Sequence, residues 1–80
     1  MSTLTPQTDA LEATFTQVAR LLAAHPFALE LLEEHRDNAQ AGRLDLPRLR
    51  GYLQGLAGAE ALPYEDYCEV DARLVQAFGL

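Results

Sequence analysis

Cys68, His25 and His35 are the residues of this chain whose types could do covalent or metal chemistry. A thiol beside an imidazole can form a nucleophilic thiolate, and the same groups with a carboxylate can ligate zinc. Their spacing supports neither. The chain has no CxxC, no HExxH and no pair of histidines one helical turn apart. Thr14, Thr16 and Gln17 make no coherent triad either. His25 precedes Pro26 and reads as a junction residue, while His35 falls on an apolar stripe and reads as partly buried. The expectation is a protein that is not an enzyme, with no catalytic residue, no metal ligand and no cofactor.

Two charged clusters remain. Glu60, Glu65, Asp66, Glu69 and Asp71 crowd into a dozen residues, with Tyr64 and Tyr67 interleaved and Arg73 following. One reading is a negative, partly aromatic docking face for a basic protein, made of Tyr64, Glu65, Asp66, Tyr67 and Glu69. The ordinary alternative is a solvated helix start. Acids favour the positive end of a helix dipole, and Glu69 with Arg73 is a routine pair one turn apart.

The second cluster is basic: Arg36, Arg43, Arg48 and Arg50 against Asp37 and Asp45. It suggests a helix-turn-helix whose recognition helix begins near Leu46 and presents Arg43, Arg48 and Arg50 to DNA. Opposing this are a formal net charge of -6, glycines in the recognition helix, and Asp45 where phosphate would sit. The plain alternative is a solvated turn whose arginines pair with acids of the same chain.

Four helices must position these groups. Thr5 can cap a first helix over residues 6–24, with Pro6 at a position where no N–H is missed. Leu11, Phe15, Val18 and Leu22 then recur at helical spacing on one stripe. His25-Pro26 breaks that helix, because the residue before proline is driven out of helical geometry. A second helix over 26–41 puts Phe27, Ala28, Leu31, Leu32, His35 and Ala39 on its apolar side and ends at Gly42. Asp45 can cap a third over 46–57, with a seam of Leu46, Leu49, Leu53 and Leu56. Gly51 and Gly55 weaken it by roughly 1 kcal/mol each. They leave two readings open: close approach of another backbone, or a short and marginal helix. After a loop from Gly58 to Leu62, a fourth helix over 64–78 buries Tyr67, Val70, Leu74, Ala77 and Phe78 and stops at Gly79.

Alternating polar and apolar residues are missing, so no sheet is expected. The fold class is all-α, a bundle of four short amphipathic helices in one domain over residues 1–80, with 1–5 as a flexible lead-in. Leu and Ala dominate, Ile is absent, and Val occurs only at 18, 70 and 75, a composition that suits helices. All six basic residues are Arg, as in GC-rich bacterial or phage genomes.

A core this small supplies only ~3–5 kcal/mol, and a single cysteine allows no internal disulfide. Self-association as a homodimer is the staple the sequence leaves open. The stretch from Val18 to Leu32 is broken by Arg20, His25, Pro26 and Glu30, so no membrane span is expected. Met1 to Glu12 lacks the pattern of a signal peptide, and a lone thiol suits the reducing cytoplasm. The functional expectation is a small acidic interaction or regulatory module: an adaptor, or an inhibitor of the bacterial or phage type, whose partner protein has a basic surface. The alternatives are a dimeric helix-turn-helix regulator and a helical subunit of a larger assembly.

Overall fold

Side-chain capping starts two of the four helices. In the computed structural model of the chain, which describes residues 5–80, the Thr5 Oγ1 accepts the Thr8 N–H at 3.1 Å. Helix α1 follows over Pro6–Leu21. Pro26 opens α2, Pro26–Gln40, behind His25, whose side chain makes no capping bond. The Asp45 Oδ1 accepts the Arg48 N–H at 3.2 Å and opens α3, Leu46–Gly58. Helix α4 is Tyr64–Phe78. No strand occurs among the described residues. The expected flexible lead-in lies, for residues 1–4, outside the described residues, and Thr5 itself is the N-cap of α1.

The boundaries differ from expectation in three places, the slightest being α2, which ends at Gln40 rather than at residue 41. Helix α1 ends at Leu21, because residues 22–24 turn ahead of the His25-Pro26 break. Helix α3 runs one residue further than expected and contains all three of Gly51, Gly55 and Gly58.

Three helices stop in the same way. Beyond α2, Gly42 takes the left-handed conformation (φ 75°), and the Arg43 N–H returns to the Asn38 carbonyl at 2.7 Å. Beyond α4, Gly79 (φ 68°) does the same, with the Leu80 N–H on the Val75 carbonyl at 3.0 Å. Beyond α3 the left-handed residue is Glu60 (φ 62°), and the Ala61 N–H reaches the Leu56 carbonyl at 2.9 Å. Glycine pays no Cβ penalty there, and glutamate does.

Side-chain pairs link the helices. Glu12 faces Arg36 between α1 and α2. The Tyr52 hydroxyl of α3 donates to the Ala28 carbonyl of α2, and His35 packs on the Tyr52 ring. Arg50 meets Asp71 near the start of α3 and the far half of α4, while Ala57 and Gly58 lie beside Tyr64. Arg73 returns to Thr14 and Gln17 of α1. Helix α4 packs against both α3 and α1, and α2 packs mainly against α1.

The core holds Phe15, Val18 and Leu22 of the first stripe, Leu32, Leu49, Leu53, Val70 and Leu74. It also holds Leu62, from the α3–α4 connection, at 1 % exposure. That connection is not a free loop, because one leucine anchors it in apolar surroundings and removes most of its apolar surface from water. Helix α2 is held least firmly, burying Leu32 alone outright. Phe27, expected on the apolar side of α2, is 72 % exposed. It sits in the first turn of α2.

Candidate functional site

The acidic and aromatic residues of α4 do not share one face. Asp66 and Glu69 turn toward α1: the Asp66 carboxylate accepts the Gln17 amide at 3.2 Å, and Glu69 pairs with Arg73 at 3.1 Å. Arg73 also donates to the Gln17 carbonyl at 2.9 Å and to the hydroxyl of fully buried Thr14 at 3.5 Å. These groups form a polar seam that satisfies Thr14 inside the bundle, as a buried hydroxyl requires. Tyr64 and Tyr67 turn the other way, toward α3, with ring centroids 6.3 Å apart. Glu65 stands exposed between the two sides. The five-residue docking face read from the sequence is thus split. Its tyrosines and its paired acids flank opposite edges of one helix.

The tyrosines lie over a groove between α3 and α4. One stretch of it, about 350 Å3, is lined by Gln54, Ala57, Gly58, Tyr64 and Tyr67. The next, about 310 Å3, runs past Gly51 to Pro47 and ends at Arg50 and Asp71. Gln54 and Tyr67 border both stretches, so the two adjoin. Gly51 and Gly58 line it, and a Cβ at either would meet nothing within 4 Å. Among the described residues no other backbone approaches these glycines, so close helix packing within the bundle is not what they serve. Tyr64 is 73 % exposed, and hydrogen bonding to Cys68 one turn on pushes its phenol above the ordinary value.

The basic cluster is dispersed. Arg50 makes a bidentate ion pair with Asp71, at 2.8 and 3.1 Å. Its guanidinium fork is filled by a carboxylate of its own chain, the plain alternative for one of the three arginines. Arg43 lies exposed just after α2, and Arg48 is exposed in the first turn of α3. Arg36 sits 3.9 Å from Glu12. The sequence carries no sign that Asp71, rather than Asp37 or Asp45, claims Arg50. That pairing depends on how α3 and α4 are rotated against each other.

Cys68 is exposed on α4, and no hydrogen bond joins its thiol to either histidine. His35 packs on Tyr52 with ring centroids 5.0 Å apart. Burial, then the Arg48 charge, lowers its pKa below the usual value, with Glu34 and Asp45 pulling the other way. Among the described residues no three His, Cys, Asp or Glu side chains gather to hold a metal, and no helix is long and apolar enough to cross a membrane. No family model, curated protein or solved structure matches this chain.

Proposed function

We propose that this chain is a small protein-interaction module that docks a segment of a partner along the α3–α4 groove, with Tyr64 and Tyr67 as its anchors. The observation that carries the reading is the pair of tyrosines over a glycine-lined groove. Tyrosine supplies a large, amphipathic contact at low entropic cost and is enriched among residues that dominate binding energy. Gly51 weakens α3, yet no described residue uses the space beside it or beside Gly58. That space is left for a partner.

The partner segment is basic. The chain carries a net charge of -6, and Glu60 and Glu65 stand on either side of Tyr64 in the sequence, both exposed. Opposite charge across an interface steers association and suppresses wrong partners. Such a module works without catalysis, as a cytoplasmic adaptor or inhibitor. DNA binding gains nothing from the geometry, since Arg50 is already occupied by Asp71. A second copy of the chain is the competing occupant of the groove.

Selection from a random peptide display library on the immobilised protein tests the reading. Enriched sequences should be basic and should weaken by about tenfold or more with Tyr64→Ala. Gly51→Leu should abolish capture by filling the groove. Phe27→Ala should leave it unchanged. Peptides indifferent to both Tyr64→Ala and Gly51→Leu would remove the groove from consideration, and dimerisation lost in Gly51→Leu would assign it to a second copy.

A further inference from the structure

A second cleft, between α2 and α3, is built differently. It encloses about 400 Å3 and is lined by Leu31, Glu34, His35 and Asn38 of α2 and by Arg48 and Tyr52 of α3. That volume lies in the ~300–1,000 Å3 range of small-molecule sites. Its back wall is held firmly: the Tyr52 hydroxyl donates to the Ala28 carbonyl, and the His35 ring packs on the Tyr52 ring. At the mouth stands Arg48, whose guanidinium has no ion pair or hydrogen bond among the described residues. The Asn38 amide, on the facing helix, is equally unengaged by protein. Arg48, Asn38 and half-buried His35 thus converge, with polar hydrogens free, on a space floored by Leu31 and an aromatic ring.

We infer that this cleft binds a small organic monocarboxylate, its carboxylate on Arg48 and Asn38 and its apolar body along Leu31 and Tyr52. Arginine suits the role because its planar fork matches a carboxylate with two parallel hydrogen bonds. Desolvation selects against phosphate: Arg48 is the one cation lining the cleft, with Glu34 at the same rim and Asp45 near His35, so a dianion, whose desolvation cost rises with the square of its charge, is compensated less than a monoanion. The site is separate from the α3–α4 groove and does not depend on it.

His35 gives a direct readout. It faces Arg48, Glu34, Asp45 and Tyr52, and the Arg48 charge opposes its protonation. A carboxylate seated on Arg48 neutralises that charge, so the imidazole should titrate at higher pH. The experiment follows both histidine rings by NMR while 3-phenylpropanoate is added to the full chain at constant ionic strength. Exposed His25, at the far end of α2, is the internal control. A dissociation constant of about 1 mM or tighter is expected for so open a site. The His35 titration should move upward with His25 unmoved. The effect should vanish in Arg48→Gln, persist in Arg43→Gln, and be absent with 3-phenylpropanamide. Phenyl phosphate should bind more weakly than the carboxylate. The inference is overturned by equal shifts at both histidines, by an undiminished response in Arg48→Gln, or by phosphate binding the tighter. No response at ~50 mM, far above that constant, overturns it as well.

Discussion

Arg50 and Asp71 bind each other through two parallel hydrogen bonds, 2.8 and 3.1 Å long, across the seam between α3 and α4. The pair closes one end of the groove and joins helices separated by a turn that holds only one buried leucine. Both side chains keep some exposure, so solvent screens the attraction. A double-mutant cycle with Arg50→Ala and Asp71→Ala, followed by urea unfolding, should return a small coupling that is distinguishable from zero. Raising the salt should shrink it. Coupling indistinguishable from zero would mean the fork geometry does not persist in solution.

Glu60 occupies a conformation that glycine holds at the two equivalent positions, Gly42 and Gly79. Replacing it removes a Cβ clash of ~1–2 kcal/mol, part of which is offset by the greater freedom of glycine in the unfolded chain. Glu60→Gly should therefore raise stability by about 1 kcal/mol and shift the urea midpoint upward. Gly42→Ala should move it the opposite way. If Glu60→Gly destabilises instead, the carboxylate does something there that outweighs the strain.

Gly55 and Gly51 separate stability from docking. Neither meets a neighbour within 4 Å when a Cβ is added, and both are interior to α3. Alanine at either position should stabilise the free chain by about 0.5–1 kcal/mol. Only Gly51 lines the groove. Thermal melts of both variants should rise together, whereas peptide capture should fall in Gly51→Ala alone. Equal capture by both variants would count against the groove.

His35 couples stability to pH with a defined sign. Its pKa in the folded chain lies below the usual 6.5, chiefly through burial and next through Arg48. As pH falls below about 6.5 the unfolded state takes up a proton that the folded state resists, so this residue's share of stability declines. The decline continues until the folded-state pKa is reached and then levels off. Urea midpoints at several values between about pH 8 and 5 should show this loss in the parent chain and a smaller one in His35→Gln. Identical slopes would mean the ring is as free to protonate in the fold as out of it.

Much of the architecture is visible in the residues themselves. Thr5 and Asp45 carry oxygens that can only help a helix begin, Pro6 and Pro26 suit a first turn, and Gly42 and Gly79 suit an end. Each effect acts within about four residues, so the chain states it locally. Periodic Phe15, Val18 and Leu22, and Leu49 with Leu53, likewise reveal which stripe leaves water. Three features escape such reasoning. Glu60 in a glycine conformation carries no local signal. Leu62 looks like a loop residue until the bundle surrounds it. Phe27 looks like core until the fold leaves its side chain exposed.

The chain alone determines which segments coil, where they start, and which side of each is apolar, because those depend on neighbours in sequence. Only the packed bundle decides what α4 presents on each edge. It sends Asp66 and Glu69 to a polar seam with Gln17 and Arg73, and Tyr64 and Tyr67 to the groove beside α3. It also gives Arg50 to Asp71 while leaving Arg48 beside His35 and Asn38. A helix carries its residues on a fixed spiral, but its rotation against its neighbours is set by how side chains interlock across the core. Partners distant in sequence exist only after that rotation is chosen.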